Sequence, residues 1–161
     1  MRFSTAFFFC CLAAGCAGHT LAPEAIRQAD FTEKIAVKRG TAYRLALHWF
    51  DKNLRVVPGA VQIQEPDTGR IRTQAALKCN SLRKENDLKE YFLTFELDFE
   101  AQPQLMSFHF TQLRMENAEG QLVPWAEAQL SDAQNVGRIH PCLKKVVEAL
   151  AKAVESTTPT W

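Results

Sequence analysis

The most constraining feature of this sequence is an alternation of apolar and polar residues between positions 91 and 100, which Phe92 interrupts and which is strict from Leu93 onward. Successive side chains of a β-strand point to opposite faces, so the alternation predicts a strand with one buried face and one solvated face. Such strands are typical of antiparallel sheets. The apolar positions are Tyr91, Leu93, Phe95, Leu97 and Phe99, and the polar positions are Thr94, Glu96, Asp98 and Glu100.

The same period of two recurs elsewhere in the chain and predicts further strands. The runs are separated by turn sequences at Gly40, at residues 66–69 and at Gly120. After Phe110 the apolar phase slips by one residue, which predicts a β-bulge around Thr111 and Gln112. The further runs are Ile35–Val37, Tyr43–Trp49, Val61–Gln64, Ile71–Cys79 and Met106–Phe110.

Near the C-terminus the apolar period becomes that of a helix. Pro141 suits a first helical position, so we expect a helix over residues 141–155. We expect residues 31–161 to form a single, mainly β domain: an antiparallel β-sandwich of about seven or eight strands with the C-terminal helix packed on it. The helical stripe consists of Leu143, Val146, Val147, Leu150 and Val154.

The first residues of the chain have the pattern of an export signal. Arg2 precedes an apolar run over residues 6–14, which ends in small residues. This pattern predicts a signal peptide over residues 1–15, and the run is shorter than the ~20 apolar residues that span a bilayer. Residues 16–30, which include Pro23, are predicted to be a tether.

The end of this signal, Leu12-Ala13-Ala14-Gly15-Cys16, resembles the lipobox of bacterial lipoproteins. It departs from the usual pattern in having Ala13 where leucine is most common. The resemblance implies that Cys16 is lipidated and becomes the first residue of a protein anchored by acyl chains such as palmitate. Ala17 in place of aspartate favours the periplasmic face of the outer membrane. The alternative is a secreted soluble protein cleaved after Ala17 or Gly18.

Two cysteines remain in the predicted domain, Cys79 and Cys142. An even pair in an exported protein predicts a disulfide bond. Two buried free thiols are the alternative. A metal site is disfavoured because neither cysteine has another cysteine or a histidine at the short spacing that zinc sites use.

Composition and motifs argue against several classes of function. The formal net charge is +1 with both signs mixed, so nothing indicates binding to nucleic acid. The carboxylates of Glu96, Asp98 and Glu100 predict a solvated strand face, which a cation or a basic partner could use. No catalytic or phosphate-binding motif is present, and we predict no enzyme activity, no metal and no cofactor. The histidines, none in a ligand motif, are His19, His48, His109 and His140.

A lipid-anchored β-sandwich without a catalytic motif resembles the accessory lipoproteins of secretion and envelope machines. The resemblance implies a non-enzymatic, lipid-anchored envelope protein that acts as a structural or accessory component of a membrane-associated protein assembly. Its partners would be the membrane, through the lipid, and other envelope proteins. The alternative is a periplasmic binding module: an inhibitor, or a carrier of a small ligand or metal ion. The candidate partner-binding segment is Leu122, Pro124 and Trp125, because proline favours a sheet edge and tryptophan is enriched at hot spots. Core packing is the alternative for Trp125.

Overall fold

The strands of this protein form one antiparallel sheet in the order β1-β5-β4-β3-β2. The computed structural model describes residues 28–80, 90–123 and 132–157, and the structural statements below concern these residues. The elements are β1 (Ala29–Lys34), α1 (Arg39–Asn53), β2 (Arg55–Glu65), β3 (Arg70–Lys78), β4 (Tyr91–Gln102), β5 (Leu105–Asn117) and α2 (Asp132–Ser156). No helix in the described ranges is long and apolar enough to cross a membrane.

Both helices contribute to a single core on one face of this sheet. The alternation in β4 is confirmed, since every second residue from position 91 to 101 is buried. Phe50 of α1 packs edge-to-face on Phe99 of β4, with 5.4 Å between ring centroids. The apolar stripe of α2 is also confirmed, because Leu143, Val147 and Leu150 are fully buried in the same core. The described residues therefore form two layers, a sheet and a pair of helices.

The predicted sandwich of seven or eight strands is not what the described residues form. They contain five strands in one sheet, and helices supply the second layer. The segment from Tyr43 to Trp49, predicted to be a strand, lies in α1. Its buried residues Ala42, Ala46 and Phe50 are spaced by four, so they share one helix face. The period of two was a coincidence of Tyr43, Leu45, Leu47 and Trp49.

Two predicted boundaries were also wrong. β1 begins at Ala29, inside the predicted tether, whereas Ile35 and Val37 are buried between β1 and α1. α2 begins at Asp132, nine positions before Pro141, which lies inside the helix rather than at its start. Proline has no N–H to donate within a helix, and for that reason the sequence pattern favoured it as a starting residue.

The predicted β-bulge is present. The register of β4 with β5 shifts between Thr94 and Glu96, which pair with Arg114 and Thr111. Two residues of β5 therefore lie opposite Phe95, and one of them, Gln112, has φ of 51°. The bulge keeps Phe110 and Leu113 on the same buried face although three positions separate them.

The predicted disulfide bond between Cys79 and Cys142 is present, with 5.8 Å between the Cα atoms. Cys79 directly follows β3, and its N–H donates to the carbonyl of Tyr91 at the start of β4. Cys142 lies in α2, one position after Pro141. The bond therefore ties the helix layer to the end of a central hairpin.

Candidate functional site on the open face of the sheet

The face of the sheet opposite the helices is lined by the polar positions of β3, β4 and β5. We call this surface the open face, because no described helix or strand packs on it. Antiparallel pairing brings Arg72, Asp98, His109 and Asp30 into one row across four neighbouring strands. Charges of opposite sign thus alternate along the row when His109 is protonated, and directly opposed pairs of this kind stabilise a sheet.

Asp98 is the centre of an ion-pair network on the open face. Its Oδ1 accepts a hydrogen bond from Nε of Arg70 at 2.8 Å, and its Oδ2 accepts from Nη2 of Arg72 at 2.9 Å. Nη2 of Arg70 donates to Oδ2 as well, so the contact with Arg70 is bidentate. These bonds hold two arginine side chains on one carboxylate.

Gly69 lies directly before β3 and positions the start of that strand, which carries Arg70 and Arg72. Its φ is 79°, a left-handed conformation that glycine adopts readily. A Cβ atom at this position would lie 2.4 Å from the carbonyl oxygen of Ala101. The close approach lets the Gly69 carbonyl accept a 2.9 Å hydrogen bond from the Ala101 N–H, which sets the register of β3 on β4. Arg70 then lies diagonally across from Asp98.

The network shifts the ionisation of its members. Hydrogen bonding from Arg70 is the largest effect on Asp98, and together with the bond from Arg72 and the two positive charges it lowers the pKa of Asp98 to about 2. The hydrogen bond to Asp98 likewise raises the pKa of Arg70. Asp98 is therefore ionised throughout the neutral and mildly acidic range.

We expect Asp98→Asn to lower the free energy of unfolding at pH 7 by about 1–2 kcal/mol, a range discounted because the arginines are partly exposed. The pKa of Asp98 is lower in the folded than in the unfolded chain, so its contribution is present above about pH 4. That contribution is lost as the pH falls towards about 2. Urea denaturation at pH 7, 4 and 2.5 should show the difference between wild type and variant shrinking with acid.

The matched control for that measurement is Glu96→Gln on the same face of β4. Glu96 forms no ion pair with any residue in the described ranges. This variant should change stability by less than about 0.5 kcal/mol. An equal loss in both variants, or a difference for Asp98→Asn that does not depend on pH, would contradict the role given to the network.

A second pair lies at the β1 side of the open face, where Nδ1 of His109 contacts Oδ1 of Asp30. Both side chains are well exposed. They border a cleft of about 430 Å³, which also reaches Ser107, Thr68 and Glu100. Within the described ranges no hydrogen bond joins Ser107 to His109, and no group of three or more His, Cys, Asp and Glu side chains could hold a metal ion. The cleft offers donors and acceptors to a polar partner.

The structure places the other sequence candidates apart from one another. His48 is exposed on α1. His140 lies on α2, with its ring centroid 4.7 Å from that of Phe31. Glu96, Asp98 and Glu100 do share one face, as predicted, but Asp98 is engaged by arginines and the row is not a free acidic surface. Cys16, His19, Pro124 and Trp125 lie outside the described residues.

Leu122 lies at the edge of the sheet, beside the end of β5. It forms a β-bridge with Glu116, and the next N–H, that of Val123, donates to the carbonyl of Met115 at 2.8 Å. Residue Leu122 is 61% exposed, and it is the large apolar residue that is exposed among those that the structure describes. We call Leu122, Val123 and Glu116 the Leu122 edge. Leu122 and Val123 are the part of the predicted segment that the structure describes, and the proposal that this segment binds a partner stays a prediction.

Sequence reasoning missed Arg70, Arg72 and Asp30 as members of a site. The alternation of polar residues was visible in β3 and β4, but their pairing depends on the register of strands that lie 28 positions apart in sequence. The turn sequence at residues 66–69 could have indicated part of this site, because a hairpin there places Arg70 and Arg72 beside β2. It does not indicate that β4, which carries Asp98, pairs with β3 on the other side.

Comparison with known proteins gives similar folds and no indication of an activity. The architecture is that of an α+β protein with both helices on one face of an antiparallel sheet. A DUF4468 family protein from Bacteroides ovatus is similar in structure, with a TM-score of 0.57 and 12% identity over 82% of this chain and 86% of that one. A TBP-like protein from Parabacteroides distasonis has a TM-score of 0.51 and 9% identity over 79% of this chain and 91% of that one. No family model and no curated protein match the sequence.

Proposed function

We propose that this protein is a non-enzymatic, lipid-anchored accessory component of a protein assembly in a bacterial cell envelope. In this proposal Cys16 carries the lipid on the periplasmic face of the outer membrane, and the folded domain binds a neighbouring envelope protein. The lipobox-like sequence supports the anchor. The exposed Leu122 edge supports a protein partner, and this observation carries the proposal.

The Leu122 edge combines two features that favour association with another protein. Burying a leucine side chain contributes about 1.5–3 kcal/mol, whereas in the free domain Leu122 remains mostly in water. Its backbone lies at a strand end, where a partner segment can extend the sheet by hydrogen bonding. Glu116 adds a carboxylate beside the apolar side chain and can orient a basic partner residue.

The length of chain before the domain limits where that partner can be. Cys16 and Ala29 lie 13 positions apart, and an extended chain spans at most ~3.3–3.6 Å per residue. The start of β1 would thus lie within about 45 Å of the leaflet that holds the lipid. A domain on so short a tether suits a partner that is itself at the membrane.

Site-specific photo-crosslinking in intact cells tests the proposed surface. A benzophenone amino acid at position 122 should give a discrete adduct with one envelope protein. The same probe at Asp67 should give none, because Asp67 is exposed in the turn at the opposite end of the sheet. Replacing Leu122 should not unfold the protein, because this residue is exposed. No adduct at position 122, or the same adducts at both positions, would overturn the proposed surface.

A second candidate function, a binding module for a small ligand, is favoured by a different observation. Beside α1 the structure contains a cleft with an apolar floor and a charged rim. This candidate function does not depend on the anchor or on the Leu122 edge.

A further inference from the structure

A cleft of about 400 Å³ lies between α1 and the β2–β3 hairpin, on the helix side of the sheet. We call it the α1 cleft. Its floor is formed by Phe50 and Ile71, which are buried, and by Leu47, which is half-buried. Small-molecule sites commonly have volumes of ≈ 300–1,000 Å³ and mostly apolar linings with few polar groups. The α1 cleft is of the size that takes one aromatic ring or a short acyl chain.

The polar groups of the α1 cleft are concentrated on α1. Arg44 and His48 are one helical turn apart and therefore project from the same side of the helix. Within the described ranges neither side chain forms an ion pair or a side-chain hydrogen bond. An arginine with no partner at the rim of an apolar cleft can bind a carboxylate through two parallel hydrogen bonds.

Two further groups refine the ligand class. Thr73 lines the cleft and is only 1% exposed, and among the described residues its hydroxyl makes one long contact, of 3.5 Å, with the Gln74 carbonyl. It therefore retains hydrogen-bonding capacity for a ligand atom. Asp51 lies on the rim two turns after Arg44 and disfavours a second negative charge at that end.

We propose that the α1 cleft binds a small amphipathic monoanion, such as an aromatic or short-chain carboxylate. Its carboxylate lies against Arg44, with His48 as a second donor, and its apolar body lies on Leu47, Phe50 and Ile71. Charge complementarity with Arg44 and the apolar floor carry this assignment. The site is on the helix side of the sheet, so it is separate from the ion-pair network of the open face.

The test is a titration of the purified protein with 4-(trifluoromethyl)benzoate, followed by ¹⁹F NMR. We expect saturable binding to the wild type in the ¹⁹F spectra, and in ¹H–¹⁵N correlation spectra of the labelled protein we expect backbone amide shifts that cluster around Leu47, Ile71 and Thr73. Arg44→Gln should weaken binding about tenfold or more, because a hydrogen bond to a charged group is lost. The uncharged 4-(trifluoromethyl)benzyl alcohol should bind more weakly than the carboxylate by a similar factor.

The matched control is Arg114→Gln, which removes an exposed arginine from β5 and should leave binding unchanged. Arg44 is itself exposed, so both variants should keep the wild-type melting temperature. Absence of saturable binding to the folded wild type would overturn the proposal. Equal weakening by Arg44→Gln and Arg114→Gln would overturn it as well, since attraction would then depend on overall charge and not on the cleft.

Discussion

Replacing both Cys79 and Cys142 by alanine should lower the free energy of unfolding by about 4 kcal/mol. The two residues are 63 positions apart, and in the chain-entropy model the bond stabilises by restricting a loop of that length in the unfolded chain. A domain of this kind has only ~5–15 kcal/mol of stability in total. The melting temperature should therefore fall by about 10 °C or more. Thermal denaturation followed by circular dichroism gives the measurement.

Chemical reduction provides the control for this prediction. Dithiothreitol should lower the melting temperature of the wild type to that of the double variant, and should leave the double variant unchanged. Before reduction, neither Cys79 nor Cys142 should react with a maleimide in the denatured wild-type protein. Reaction at both positions, or a double variant as stable as the wild type, would contradict the structural role of the bond.

Truncation of Phe99 is the second change with a large expected effect. The ring is fully buried and packs edge-to-face on Phe50 of α1 at 5.4 Å and on Phe108 of β5 at 5.2 Å. Phe99→Ala would leave a cavity between the two layers, and such changes cost about 3–5 kcal/mol. Phe99→Leu retains most of the volume and should cost less than about 1.5 kcal/mol. Urea denaturation of the two variants measures both losses.

Phe92→Ala is the matched control on the same strand. Phe92 lies on the open face and is half-buried, with the Arg55 guanidinium carbon 5.6 Å from the ring centroid. Its truncation removes less buried surface and a weak cation–π contact, so we expect a loss of about 1 kcal/mol. Equal losses for Phe92→Ala and Phe99→Ala would show that both faces of β4 are covered, contrary to the account of the open face.

Local patterns predicted most of the sheet because they report which face of an element is buried. The alternation in β4, the phase slip at Thr111 and Gln112, and the apolar stripe of α2 each depend on a few consecutive residues. The disulfide bond followed from counting the cysteines that remain after the predicted export signal. None of these inferences required knowledge of which strands are neighbours.

The wrong predictions, a β-sandwich and a strand over Tyr43–Trp49, concern the layer that covers the sheet. An apolar strand face must be covered, but alternation is the same whether a second sheet or a helix covers it. In α1 two buried alanines, Ala42 and Ala46, mark the contact face, and their small side chains gave too weak an apolar signal to outweigh the alternating larger residues. The network around Asp98 could not be predicted for a related reason, because it depends on strand register.

The proposed function depends on lipidation of Cys16, and the mass of the N-terminal peptide of the mature protein tests this lipidation most directly. If Cys16 is lipidated, the N-terminal peptide of protein purified from membranes should begin at Cys16 and carry a diacylglyceryl group and acyl chains. The Cys16→Ser protein should lack this modified peptide. An unmodified N-terminus at Gly18 or His19 in the wild-type protein would contradict the anchor and identify a secreted soluble protein.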